Sequence, residues 1–292
     1  MKIQTECVPC LIKRIIFEAQ ECTPDKDLQT KVINNACRKF SEIYDPKACS
    51  AELATKVHKI AYETLGDSDP YLSLKKQSNK IALSLIPRVE GLIKKSDDPL
   101  KTSILCSIIG NMMDFGIAGG SSSPNVLKEN FDKTFDEGLG YDDTDELKKV
   151  LLKSKNIVFF TDNCGEIVFD KILCRELKKY NPKIFISLVV KGIPILSDAT
   201  LQDAKDLKFE EVVDEILTTS CFAVGVDFSK LPLEVINKLK KADLIICKGM
   251  ANYESFSETS YHPVVYLLRT KCKPIANSMG LPLNVNAVKL YP

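Results

Sequence analysis

The 292-residue chain has no tryptophan and only two histidines, His58 and His262. Two histidines exclude a multi-histidine zinc centre. Neither sign of charge is in excess, since 40 Lys and Arg face 39 Asp and Glu. A broad basic field for nucleic acid or an anionic membrane is therefore absent. No apolar run reaches bilayer-spanning length. The opening MKIQTECVPCLIKRIIFEAQ interrupts its apolar residues with charges, unlike a signal peptide. The expected location is the cytoplasm. There is no GxGxxG loop, no Walker lysine loop and no GxSxG elbow. Dehydrogenase, P-loop kinase and serine hydrolase chemistries lose ground accordingly.

Cysteine is plentiful, with 11 residues scattered along the chain. The odd number, the wide spacing and positions such as Cys106 and Cys247 inside apolar runs speak for reduced core residues. Cys7 and Cys10 differ, because Cys7-Val8-Pro9-Cys10 is half of a metal or redox site. No second tight pair accompanies it.

Residues 1–153 read as helical. Apolar residues recur every three or four positions in Cys10-Leu11-Ile15-Ile16-Ala19 and Val32-Ile33-Cys37-Phe40-Ile43, and the pattern continues through 50–65, 70–94 and 100–114. Thr23-Pro24 marks a helix start with proline in its first turn. Gly119-Gly120-Ser121-Ser122-Ser123-Pro124 is the strongest loop signal. From 154 onward, short apolar runs alternate with helical stretches: Ile157–Phe160, Ile184–Val190, Val212–Leu217, Leu244–Cys247, Val264–Leu268 and Val285–Leu290. Buried strands alternating with helices indicate parallel βαβ units. The expected architecture is an α/β sandwich over 154–292 with a helical cap over 1–153.

Polar clusters follow three of these runs: Thr161-Asp162-Asn163-Cys164-Gly165-Glu166, Lys191-Gly192-Ile193-Pro194-Ile195-Leu196-Ser197-Asp198, and Lys248-Gly249-Met250-Ala251-Asn252-Tyr253-Glu254. Ligands of open parallel sheets bind beyond the carboxyl ends of the strands, so the three clusters could share one crevice. Asp162, Asn163 and Asp198 offer hard oxygen ligands suited to magnesium or manganese. Gly165 frees the backbone at a helix start, where amides favour a phosphate. Lys191 and Lys248 could reach an anion. Each cluster alone also reads as a turn or an N-cap. Three successive strand ends with these residue types make an anion or metal site an equal contender. A fourth cluster, Gly110-Asn111-Met112-Met113-Asp114, puts Asn111 and Asp114 on one helix face inside an apolar stretch. They either line the site or hydrogen-bond internally.

The ordered set ECVPC, IIGNMMDFG, TDNCGE, KGIPILSDAT and KGMANYES resembles the damage-control phosphatase family, also called domain of unknown function 89, in its small archaeal and bacterial branch. The resemblance covers essentially the whole chain. It implies a three-layer α/β/α sandwich with a mainly parallel sheet and a helical N-terminal subdomain. It also implies metal-dependent hydrolysis of phosphorylated metabolites such as sugar phosphates, supported by Mn2+, Mg2+, Co2+ or Ni2+. By motif position, Asp162, Asn163 and Asp198 are implied as metal ligands and Lys248 as the phosphate anchor. Glu166, Asn252, Asn111 and Asp114 are implied as pocket-lining or supporting groups. The opening CxxC recurs in this branch, which adds weight to Cys7 and Cys10 without fixing their role.

The mechanism expected from these residues is in-line attack by a metal-activated water. Glu166 is the first choice of base, and Lys248, Lys191 and amides near Gly165 neutralise the phosphate. Passage through a phospho-aspartate on Asp162 stays open. The alternative is a non-catalytic metal or phospho-ligand binder, or a redox module built on Cys7 and Cys10. The expected partner is a small phosphorylated metabolite, with neither nucleic acid nor membrane. The sequence does not set the oligomeric state, the physiological metal or the substrate.

Overall fold

Alternation along the strand Asn156–Phe160 sets the layering. Ile157 and Phe159 enter one hydrophobic cluster, while Val158 and Phe160 enter another on the opposite face. The same split recurs in Leu244–Lys248, where Leu244 and Ile246 face one way and Ile245 and Cys247 the other. A period of two with both faces apolar is what a strand sandwiched between helical layers requires.

The computed structural model describes residues 1–111 and 125–292. The loop expected at Gly119–Pro124 and the expected site residue Asp114 lie outside the described residues. Among the described residues seven strands form one sheet: β1 (Tyr141–Asp142), β2 (Asn156–Phe160), β3 (Phe185–Val190), β4 (Glu215–Thr218), β5 (Leu244–Lys248), β6 (Val264–Arg269) and β7 (Asn286–Tyr291), in the order β1-β7-β6-β5-β2-β3-β4. Every pairing is parallel except β6 with β7. The fold is therefore α/β with a mostly parallel sheet, as the apolar runs predict. The run Val212–Leu217 shifts by a few residues, because Phe209–Glu211 form a 3-10 turn and β4 begins at Glu215.

The helices are α1 (Cys7–Cys22), α2 (Lys26–Ile43), α3 (Ser50–Leu65), α4 (Leu72–Lys95), α5 (Pro99–Gly110), α6 (Asn125–Glu137), α7 (Thr144–Lys153), α8 (Glu166–Tyr180), α9 (Leu201–Asp206), α10 (Leu233–Lys241), α11 (Gly249–Phe256) and α12 (Lys273–Met279). The apolar stripes of α1 to α3 bury against one another through Leu11, Ile15, Ala19, Val32, Phe40 and Val57. Pro24 stands just outside α2. The cap is Asp25, whose carboxylate accepts from Asp27 N and Leu28 N, as an N-cap side chain should. Helix α5 is apolar on all sides and buried from Ser103 to Gly110, the pattern of a helix enclosed by protein. It packs on α8 and ends at Gly110 with Asn111 as its cap.

The strand order places the chemistry. From β2 the chain moves outward to β3 and β4, then returns to β5 on the other side of β2. The switch point lies between β2 and β5, and ligand crevices form beyond the strand ends at such points. Thr161-Asp162-Asn163 leave the end of β2, and Lys248-Gly249 leave the end of β5.

Candidate active site

The loops after β2 and β3 are bound to each other before any ligand is considered. Asn163 and Asp198 form an isolated antiparallel bridge. Cys164 N donates to Ser197 O at 2.7 Å, and Ala199 N donates to Asp162 O at 2.8 Å. These bonds fix Asp162, Asn163 and Asp198 side by side, all three buried. Asp162 Oδ2 accepts from Asn163 Nδ2 and from Asn111 Nδ2, each at 2.7 Å. Asn163 Oδ1 accepts from Ser197 Oγ at 2.5 Å, and Lys191 Nζ lies 3.2 Å from Asp198 Oδ2.

A buried charged network lies behind this trio. Lys248 Nζ sits 2.5 Å from Glu166 Oε1 and 2.7 Å from Asp170 Oδ1, and also donates to Ser107 O at 3.2 Å. Glu166 Oε2 accepts from Asn111 Nδ2 at 2.5 Å and from Asn163 N at 3.3 Å. Lys248, Glu166 and Asp170 are all fully enclosed. Burial opposes the lysine's charge, but the Asp170 and Glu166 carboxylates outweigh it and hold its pKa above the ordinary value. Burial, helped by Glu166 and opposed by Lys248 and Ser107, pushes the Asp170 carboxyl up to about 6. The network thus ties α8, α5 and β5 to the loop carrying Asp162.

A cavity of about 350 Å³ opens in front of the trio, between the strand ends and helices α1 and α3. Asp162, Asn163 and Asp198 line one wall; Cys7, Cys10 and Arg14 of α1 and His58 of α3 line another. Lys271 and Cys272, which follow β6, complete it. A larger cavity of about 630 Å³ lies beside it against Tyr253, Phe256 and His262, sharing Glu6 and Pro274, and touches none of the three strand-end carboxylate and amide groups. Size alone would choose that cavity; the convergence of polar groups favours the smaller one.

Five expected residues therefore meet at one cavity: Asp162, Asn163, Asp198, Cys7 and Cys10. Among the described residues, the other expected ones sit away from the cavity lining. Lys248 and Glu166 do not line the cavity, because each already spends its charge on the other beneath the floor. Lys191 does not line the cavity; its Nζ pairs with Asp198 Oδ2 at 3.2 Å and donates to Ala223 O at 3.1 Å and to Gly225 O. Asn252 bridges Thr161 O at 2.9 Å and Lys248 O at 2.7 Å, joining the ends of β2 and β5. The amide of Gly165, expected to meet phosphate, donates to Asn79 Oδ1 at 2.6 Å. Asn111 lies behind Asp162; its Oδ1 is buried with no partner among the described residues.

Sequence reasoning missed Lys271. It stands two residues after the end of β6, at a fourth strand end, and its Nζ donates to Asn111 O. It also missed Ser107, Asp170 and Asn79, which carry no motif and become visible only through their partners.

Two carboxylates and an amide side by side are hard donors, fit for a divalent cation of the magnesium and manganese type. Among the described residues, no group of three or more His, Cys, Asp or Glu is arranged to hold a metal. An ion at the trio would therefore use two carboxylates with amide oxygen. Cys7, Cys10 and Cys272 are in no disulfide. Burial raises the thiol pKa of Cys7 and pushes Cys272 up to about 12, which disfavours reactive thiolates.

A profile for the damage-control phosphatase ARMT1-like domain matches residues 3–285. The chain belongs to this family. It is 38% identical over 281 residues to a damage-control phosphatase of Archaeoglobus fulgidus, covering 96% of each chain. It is 29% identical over 283 residues to the damage-control phosphatase PH1575 of Pyrococcus horikoshii, covering 97% of this chain and 96% of that one. The crystal structure of that P. horikoshii family protein superposes on this phosphatase-family fold with a TM-score of 0.89 at 27% identity, covering 100% of both chains.

Proposed function

We propose that this chain hydrolyses phosphate monoesters of small metabolites, sugar phosphates and related damaged metabolites among them, with a divalent metal ion. The observation that carries the reading is the convergence of Asp162, Asn163 and Asp198 on a cavity also lined by Lys271 and Arg14. Membership of a family of damage-control phosphatases supports the same reaction class.

Asp162, Asn163 and Asp198 would hold the ion, and their oxygen chemistry accepts Mn2+, Mg2+, Co2+ or Ni2+. When bound, such an ion supplies a more acidic water and a positive charge against the phosphoryl oxygens. Lys271 and Arg14 bring fixed cationic charge to the same cavity, so they bind and orient the phosphate. The roles of Lys248, Glu166, Asp170 and Asn111 follow from their burial: they hold the Asp162 loop in its productive shape. Lys191 does the same for Asp198. Preorganised carboxylates of this kind lower the reorganisation required during reaction.

The experiment is phosphate release from a panel of phosphate esters after chelator stripping and addition of each metal in turn, with Asp162→Ala and Asp198→Ala alongside. Metal-restored turnover that vanishes in both variants is expected. Turnover that survives chelation, or survives in Asp162→Ala, would sink the reading.

A further inference from the structure

Beside the trio the cavity has an apolar wall that the phosphate chemistry does not use. Leu196, Val224 and Met250 all line it. Leu196 stands two residues before Asp198 in the same loop. Val224 lies in sequence between Ala223 and Gly225, whose carbonyls accept from Lys191 Nζ, and that amine pairs with Asp198 Oδ2 at 3.2 Å. Met250 follows Gly249, whose backbone abuts Asp162 Oδ2. Each of the three is thus tethered, within one or two residues, to the trio or to a group that touches it.

The apolar surface is continuous. Leu196 and Val224 belong to one hydrophobic cluster, with Ala54 and Ala251 packed against it, and all four line the cavity. A Cβ added to Gly225 would fall 2.3 Å from Ala251 O, so residues 224 and 225 press directly on α11, the helix that carries Met250. Leu196 N donates to Tyr62 OH and Val224 N donates to Thr55 Oγ1, each at 2.9 Å, so α3 holds both in place. Cys7, Cys10 and Cys272 extend the same lining, and none is in a disulfide. Burial keeps the thiols of Cys7 and Cys272 protonated at neutral pH, and a neutral thiol packs as a small hydrophobe.

The polar groups of the cavity are already committed or stand elsewhere. Among the described residues, the only lining side chains with a hydroxyl or an amide are Ser50 and Asn163. Ser50 Oγ donates to Glu254 Oε2 at 2.7 Å, and Asn163 is bound to Asp162 and Ser197. Glu6 and Lys273 are exposed and stand at the mouth. Arg14 and Lys271 serve the phosphate. A polyol placed against this wall gives up water at each hydroxyl and finds few partners, which is costly. A hydrocarbon gives up nothing and gains burial. A cavity of about 350 Å³ is also near the lower end of the range for ligand pockets, so the occupant is compact.

We infer that the site selects an apolar leaving group: phosphate monoesters of short hydrocarbon alcohols are its preferred substrates, ahead of glycerol and sugar phosphates. The selection rests on the phosphatase reading and narrows it. Val224 and Met250 are the specificity-determining contacts, and the unbranched thioether of Met250 adapts to the shape of the chain.

The test uses the metal-loaded full-length protein with pentyl phosphate and glycerol 3-phosphate, two esters of primary alcohols of similar size, and glucose 6-phosphate as the sugar ester. The hydroxyls of glycerol make its departing oxygen the better leaving group, so a preference for the pentyl ester cannot come from leaving-group strength. Wild type is expected to show a kcat/KM at least about tenfold higher for pentyl phosphate than for either other ester. Val224→Thr keeps the shape of the side chain and adds a hydroxyl; Met250→Gln keeps its length and adds an amide. Each should lower the pentyl-to-glycerol ratio by at least about threefold. The ratio compares two substrates on one preparation, so partial misfolding of a variant leaves it untouched. A wild-type preference for glycerol 3-phosphate or glucose 6-phosphate overturns the proposal, and so does a ratio unchanged in both variants. Absence of wild-type turnover on every ester and metal removes the phosphatase reading and the selection with it, whereas turnover without selectivity removes the selection alone.

Discussion

A Cβ placed on Gly249 would lie 1.8 Å from Asp162 Oδ2. The residue after β5 must therefore lack a side chain for the carboxylate after β2 to keep its position. The backbone at Gly249 also has φ +71°, a conformation that costs an L-residue roughly 1–2 kcal/mol. Gly249→Ala should consequently displace Asp162. At least a tenfold weakening of Mn2+ affinity is expected, read by calorimetric titration. Wild-type affinity in this variant would show that Asp162 Oδ2 is not needed at the metal.

Lys248 is surrounded by two carboxylates in a fully enclosed space. Removing its charge leaves Glu166 and Asp170 facing each other with nothing to offset them. Breaking one side of a buried ion pair costs about 3–5 kcal/mol, much more than an exposed pair. Lys248→Met should lower the unfolding free energy by that order in a denaturant titration. A loss below about 1 kcal/mol would show that the two carboxylates accommodate each other by sharing a proton.

Asp170 gives the network a pH signature. Burial raises its carboxyl from the ordinary value near 3.8 to about 6 in the folded protein. As pH rises between these values the unfolded chain releases this proton while the folded chain keeps it. The folded state binds more protons across the window, so this group's contribution falls as pH rises and is full only below about 4. Lys248, held above its ordinary pKa, stays charged throughout the window. Asp170→Asn removes the titration. The stability of wild type relative to Asp170→Asn should decline from pH 4 to pH 6, followed by urea unfolding at each pH. A difference that is flat, or that grows, would contradict the direction of the shift.

Much of this arrangement was legible in the sequence, for identifiable reasons. Short apolar runs such as Leu244–Cys247 announce buried strands, and period-four stripes such as Leu11, Ile15 and Ala19 announce amphipathic helices. The two residues of β1, Tyr141–Asp142, are too few to carry a period. The antiparallel return of β7 against β6 leaves no trace in composition. At the site, the residue types after β2 and β3 pointed to oxygen ligation before any coordinates. Which lysine faces the cavity was not legible, because Lys191, Lys248 and Lys271 all stand at or just after strand ends. Only the packing separates them. Lys248 meets carboxylates on α8, Lys191 meets carbonyls at 223 and 225, and Lys271 reaches the cavity.

Lys271 then becomes the cation whose removal should separate binding from support. It lines the cavity while Lys191 and Lys248 do not, and its Nζ donates to the carbonyl of Asn111 beside Asp162. A hydrogen bond to a charged partner contributes about 1.5–3 kcal/mol. Lys271→Met keeps the aliphatic stem and removes the charge. It should lower kcat/KM for phosphate esters by roughly 10- to 100-fold, mainly through KM, and weaken inhibition by inorganic phosphate by a similar factor. Metal affinity should change far less than in Gly249→Ala, since Lys271 is not a ligand of the trio. Steady-state kinetics with phosphate as competitive inhibitor separates the cases. If kcat/KM and phosphate inhibition both stay at wild-type values, Lys271 is a structural tie to Asn111, and the phosphate charge must be met by other groups of the cavity such as Arg14 and Lys273 and by the metal ion.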